Sequence, residues 1–151
     1  MSIFNALEIS ASGMTAQRLR MDLISQNIAN VNTTRDENGQ PYRRQTLVFA
    51  ESRADSFGSI LSQASSVRKN SEYNGSGVKV TSIVEDHVTA MKEVYDPSHP
   101  DADENGYVTY PNVNTVTEMT NMIDASRSYE ANITAFNATK NMLLKGLEVG
   151  K

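Results

Sequence analysis

Apolar residues near the start of the chain recur in two separate seven-residue registers. Leu7, Met14, Met21 and Ile28 form one, with Phe4 and Ala11 at the three- and four-residue offsets, the seam of a coiled coil. Ile9, Ala16 and Leu23 form another two positions on, and two residues turn a helix by about 200°. One partner helix cannot cover both faces. The helix predicted over residues 3–31 therefore either runs through the middle of a bundle or has partners from several subunits.

That helix should close near Asn30–Asn32, because Asn tolerates the left-handed conformation that ends helices, and Asn38-Gly39 beyond it is a turn signal. Arg44–Ala50 has the β-branched and aromatic content of a strand, and Val78–Val94 reads as extended, with Val78, Val80, Ser82 and Val84 alternating against Lys79, Thr81 and Ile83. The two are expected to pair, with the Ser-, Asn- and Gly-rich stretch Ser52–Gly77 as a long loop carrying a short helical turn around Ile60-Leu61. A two-stranded ribbon of this kind is marginal alone. Asp96–Asn112, rich in Pro, Asp and Gly, reads as a further loop.

Thr115-Val-Thr-Glu118 matches a capping box and opens a second long helix, reaching about Leu147. Met122, Tyr129, Phe136 and Leu143 repeat every seven residues, interleaved with Met119, Ser126, Ile133, Lys140 and Leu147. At 1.5 Å per residue the two helices would span about 43 and about 50 Å. The fold class that follows is α+β, mainly α, with long terminal helices pairing as a coiled coil around a small, β-rich and loop-rich middle. The boundaries are 1–33, 34–112 and 113–151, the two helical parts forming one core domain.

Composition sharpens this picture. The chain has 151 residues, 4 Phe and no Trp, so it lacks the large anchors a compact core normally uses. Asn121, Ser128, Asn132, Thr134, Asn137, Thr139 and Asn141 are expected on the outer face of the last helix, each costing roughly half a kcal/mol against Ala. Few opposite charges lie four residues apart to offset this. Such a helix gains order when other protein buries it, so assembly is the expectation.

Charge and motifs remove other classes. The net charge is −4, with no basic patch to neutralise phosphates, which argues against nucleic acid as a partner. With no cysteine there is neither a disulfide nor a thiolate metal site. The first residues carry neither a basic segment nor an apolar run, so no cleaved signal peptide is expected. No apolar run approaches the ~20 residues that span a bilayer. Asp101-Ala-Asp103-Glu-Asn105-Gly106 copies half an EF-hand loop, but its twelfth position is Asn112 and Pro97 and Pro100 block an entering helix. A secreted calcium-binding adaptor is thus the competing reading. His87 and His99 have no ligand or carboxylate partner at useful spacing, and the acceptor-like Asn132-Ile-Thr134 and Asn137-Ala-Thr139 fall inside a helix. No phosphate loop, nucleophile elbow or acid pair is present, so the chain reads as a non-enzyme without cofactor or metal.

Three stretches carry a resemblance. Gln26-Asn-Ile-Ala-Asn-Val-Asn-Thr33 resembles the signature that closes the first helix in flagellar rod, hook and hook-associated proteins, and Glu118–Asn132 resembles its C-terminal counterpart. Val94–Val108, Tyr110–Asn114 and Gly39–Arg43 are similar to the proximal-rod branch of that family. The resemblance implies a structural subunit of the proximal rod, exported by the flagellar type III apparatus without a cleaved signal and assembled in the periplasm into a shaft that transmits torque. It implies other rod proteins, copies of the same chain and the export gate and membrane-ring region as partners. Leu7, Met14, Met21, Ile28, Met122, Tyr129, Ile133, Phe136 and Leu143 would then form the assembly core. The middle block would be a rigid contact between subunits. Pro97, Pro100 and Pro111 restrict the backbone there, and Tyr95, Tyr107 and Tyr110 offer broad amphipathic area.

Overall fold

The computed structural model describes residues 3–36, 39–53 and 75–149. Asn38, the expected turn at Ile60-Leu61 and most of the 52–77 loop lie outside the described residues. Within them, α1 spans Ile3–Ala29 and α2 spans Thr115–Val149, about 40 and about 53 Å long at 1.5 Å per residue. Four strands lie between: β1 (Gln45–Arg53), β2 (Gly75–Glu85), β3 (Lys92–Tyr95) and β4 (Tyr107–Tyr110). They form two antiparallel ladders, β1 with β2 and β3 with β4.

The helices pair, as expected, and the contacts make the pairing antiparallel. Asn27 of α1 meets Glu118 at the start of α2, Met21 meets Ser126, and Gly13 faces Asn132. Gly13 has a packing role, since a Cβ there would stand 2.8 Å from Asn132 Oδ1. The second face of α1 is covered from within the chain. The Val78 amide of β2 donates to Ser12 Oγ at 3.1 Å, and Gly77, at φ +97°, leaves no room for a side chain against Ser12 and Ile9. Ala16 and Leu23, from the second register, are buried. The chain's own hairpin thus supplies a second partner of the kind that the doubled periodicity calls for.

The β1–β2 register pairs Gln45 with Glu85 and Leu47 with Ile83, then shifts, with Val48 opposite Ser82 and Phe49 opposite Val80. Thr81 is left as the extra residue of a bulge, and its hydroxyl donates to the Val48 carbonyl at 3.0 Å. Two expectations need correction here. Val78–Val94 is not one extended run, because the Asp86 carboxylate accepts the amides of Val88 (2.9 Å) and Thr89 (3.0 Å) and breaks the strand. The Asp96–Asn112 segment is not all loop, because Tyr107–Tyr110 pairs with Lys92–Tyr95. An Asx turn without Gly or Pro carries little composition signal, and a four-residue strand is too short to show a period.

The start of α2 also differs. Asn114 is the N-cap, its Oδ1 accepting the amides of Val116 (3.0 Å) and Thr117 (3.3 Å). That frees the Glu118 side chain from any capping role and turns it inward. The polar residues of α2 are likewise not all outward. Asn121 bonds Glu118 and Asn132 lies against α1. The hydroxyls of Ser128, Thr134 and Thr139 donate to their own carbonyls four residues back, which satisfies them within the helix.

Candidate assembly interface

A network of polar groups ties both helices to the strand region where α1 ends and α2 begins. Asn27, 1% exposed, uses its whole amide. Its Nδ2 donates to the Gln45 carbonyl (2.9 Å) and Glu118 Oε2 (3.2 Å), while its Oδ1 accepts the Gln45 amide (3.0 Å) and the Tyr42 hydroxyl (2.8 Å). Asn27 thus pairs with Gln45 as a neighbouring strand would. Glu118, also 1% exposed, accepts Arg44 Nε (2.9 Å) and the adjoining guanidinium nitrogen (2.8 Å) on one oxygen. It stands in the first turn of α2, where the helix dipole favours negative charge. The Arg44 amide donates to Asn112 Oδ1 (2.8 Å), and Asn112 Nδ2 reaches the Asp86 carbonyl (2.9 Å) and the Thr89 carbonyl (3.2 Å). Burial, and then the charges of Glu118 and Glu85, push the Tyr42 phenol above its usual value, which keeps it protonated as a donor.

Outside this network little apolar surface is enclosed. Ala16, Leu23, Ile24, Val108 and Ala125, with Pro111, are the buried apolar side chains of the described residues. Burying a Leu, Ile or Val contributes about 1.5–3 kcal/mol each, a small return for two helices of this length. Leu7, Met14, Met21 and Ile28 are half-buried, as are Met122, Tyr129, Ile133, Phe136 and Leu143. Phe4, Val116, Met119, Ile123, Met142, Leu144 and Leu147 are exposed. Val116, Met119 and Ile123 follow helical spacing on the side of α2 turned from the buried Glu118 and Ala125. Exposed apolar surface of this kind is suited to contact with other protein.

The comparisons with known proteins agree with this geometry. A family model described as flagella basal body rod protein matches residues 7–35, and one described as flagellar basal body rod FlgEFG protein C-terminal matches residues 104–149. The flagellar basal-body rod protein FlgC of Bacillus subtilis is 50% identical over 100% of both chains. That of Borreliella burgdorferi is 43% identical over 99% of this chain and 98% of its own. That of Salmonella typhimurium is 39% identical over 100% of each. The chain belongs to the FlgC family of flagellar basal-body rod proteins.

The two matched segments contain Asn27 and Glu118, which bond each other across the FlgC fold. Periodicity missed both, because a polar residue adds nothing to an apolar register. The available signal was their place at the head of the two signature stretches. In the middle block, Tyr95 and Tyr107 are exposed and stack edge to face at 5.3 Å. Pro97 and Pro100 are exposed, Tyr110 is half-buried and Pro111 is buried inside the chain. Pro111 is therefore an internal packing residue. Asp101 and Asp103 of this block are occupied individually. Asp101 accepts the Thr34 hydroxyl at 2.7 Å and lies 3.4 Å from Arg35. Asp103 accepts the amides of Asn105 (2.9 Å) and Tyr107 (2.8 Å). Among the described residues no group of three or more His, Asp or Glu is placed to hold a metal ion, and no helix is long and apolar enough to cross a membrane. His99 Nδ1 accepts the Asp101 amide at 3.1 Å and His87 lies 3.7 Å from Glu85, so both are local structural groups.

Proposed function

We propose that this FlgC-family chain is a structural subunit of the proximal rod of the flagellar basal body, building a shaft that carries torque. Full-length identity of 50% to a flagellar basal-body rod protein carries this reading. The unfilled apolar faces of α1 and α2 supply its physical basis. The half-buried seam, Leu7 to Ile28 and Met122 to Leu143, becomes fully enclosed when neighbouring rod subunits and copies of the chain pack around the terminal helices. The two helices then act as one core domain, with the strands outside it. The Tyr95–Tyr107 pair with Pro97 and Pro100 forms an outer contact between subunits. The chain reaches the periplasm through the flagellar export apparatus, without removal of a leader, and meets the export gate and ring region at the rod base.

The test is deletion of the gene followed by complementation, scored by swimming and by electron microscopy of basal bodies. The deletion removes the rod. Met21→Asp or Phe136→Asp leaves the protein made but stops assembly, since a charge in a packed seam costs several kcal/mol. Normal rods in either variant would overturn the helical core. Tyr107→Ala and Asp101→Ala/Asp103→Ala are compared for assembly with and without a calcium chelator; Tyr107→Ala is expected to assemble poorly and the chelator to make no difference. Collapse on chelation with Tyr107→Ala intact would return the block to calcium binding.

A further inference from the structure

Strand β1 has a neighbouring strand on one edge only. The Arg44 carbonyl accepts the Asp86 amide at 2.8 Å, and Thr46 and Val48 stand opposite Val84 and Ser82. Main-chain groups alternate along a strand, so Gln45 and Leu47 turn theirs away from β2. At Gln45 this outer rung is filled. Asn27 Oδ1 accepts its amide at 3.0 Å and Asn27 Nδ2 donates to its carbonyl at 2.9 Å. At Leu47, the next rung, the amide and carbonyl meet no partner among the described residues. An open rung beside a filled one is a template for a further extended segment.

That rung borders a groove of about 330 Å³ between α1, β1 and the start of α2, within the roughly 300–1,000 Å³ of recognition clefts. Leu23, Ile24, Leu47 and Phe49 line it, and Phe49 remains 38% exposed. The guanidinium groups of Arg20 and Arg44 line it with one carboxylate, that of Glu118, so it carries an excess of positive charge. Arg44 engages Glu118 at 2.8 Å. Arg20 is half-buried and has no hydrogen-bond or ion-pair partner among the described residues. A guanidinium partly withdrawn from water onto apolar surface is stabilised by a carboxylate that reaches it from outside.

We infer that the groove is a strand-addition site for a short extended segment of a different rod subunit. The main chain of that segment pairs with Leu47, and an aspartate or glutamate side chain on it reaches Arg20. The unpaired amide and carbonyl select a peptide backbone in extended form, and the excess positive charge selects the acid. The four described strands of this chain are already in ladders, so a second copy would bring a strand with its neighbour attached. A groove bounded by α1 on one side and β1 on the other takes a single strand. The inference rests on the proposed role as a rod subunit and names the chemistry of one of its contacts.

Leu47→Pro isolates the main-chain contact. Proline has no amide hydrogen, and at residue 47 that hydrogen points away from β2, so the ladder keeps its bonds. The variant is expected to keep the helical circular dichroism of the parent chain. Its incorporation into isolated basal bodies is expected to fall at least about fivefold, the loss of roughly one main-chain hydrogen bond. Leu47→Val, which retains the amide, is expected to enter normally. Folded Leu47→Pro that enters rods at the parent level would overturn the site. Benzoylphenylalanine placed at Phe49 in motile cells and photo-activated gives a second reading, independent of how Leu47→Pro folds. The expected adduct, sequenced by mass spectrometry, joins residue 49 to a peptide of another rod subunit that carries Asp or Glu close to the attachment point. Adducts confined to this chain, in the same or another copy, or no adduct in intact rods, would overturn the assignment while leaving the rod role standing. Arg20→Glu is expected to abolish the adduct and Arg20→Lys to keep most of it. An adduct unchanged by Arg20→Glu would refute the acidic partner, whereas intact rods in the deletion strain would overturn the rod role itself.

Discussion

Arg44 and Glu118 show how much rests on single polar side chains in a chain with few buried apolar ones. The guanidinium reaches one carboxylate oxygen twice, at 2.8 and 2.9 Å, and the acid is almost fully enclosed. Removing one partner of a buried pair costs about 3–5 kcal/mol, because the remaining charge is stranded. Arg44→Ala is therefore expected to leave the isolated chain largely unfolded, read as loss of helical circular dichroism at room temperature. An effect below 1 kcal/mol, roughly that of an exposed ion pair, would mean that water reaches Glu118. The acidic turns respond to pH in a defined direction. Hydrogen bonds to the Thr89 amide hold Asp86 low, the Ser98 hydroxyl holds Asp96 low, and the Tyr107 amide holds Asp103 low. A carboxyl depressed in the fold binds fewer protons there than in the unfolded chain, so its contribution is present above the ordinary value of 3.8 and lost as pH falls through the lowered one. The Tyr95–Tyr107 ring contact is thus expected to persist at pH 5 and to loosen only below the usual carboxylate range, as followed by NMR shifts of the two rings.

The helices illustrate what local signals specify and where they mislead. Their existence and length follow from seven-residue registers and closing Asn residues, and the expected 3–31 and 115–147 agree with Ile3–Ala29 and Thr115–Val149. The cap was displaced by one residue, from Thr115 to Asn114, because two neighbouring side chains can each accept the same orphan amides. Asn114→Ala is expected to cost about 1 kcal/mol of stability and Thr115→Ala much less, measurable by urea denaturation; the reverse order would restore the capping box. Gly13 would be read from sequence as a weak point in a helix, at about 1 kcal/mol relative to Ala. Its contact with Asn132 makes it a packing position instead. Gly13→Ala is expected to be nearly neutral, propensity gained offsetting the shift of Asn132. Gly13→Val is expected to lose about 1–3 kcal/mol by overpacking, seen in the same titration.

The molecule as a whole is a pair of long helices latched at one end and sparsely packed toward the other. Along α2 the buried positions, Glu118 and Ala125, lie in its first third, and residues 144–148 are all exposed. Amide hydrogen exchange of the isolated chain should follow that gradient, with residues 16–27 and 118–129 protected and 137–149 exchanging fastest. Uniform protection along α2 would show that the chain needs no neighbours to order its far end. The residue order alone established two long helices, a pairing strand couple and a surface that wants partners, because repeats at seven and alternation at two are properties of short stretches of chain. The folded arrangement alone revealed that α1's second face belongs to the β1–β2 hairpin, that Tyr107–Tyr110 is a strand, and that Asn27, Arg44 and Glu118 meet. Those contacts join positions 91 and 74 residues apart. Spacing within an element says which way a side chain points, but the partner of a buried amide or carboxylate depends on which distant segment the fold delivers to it.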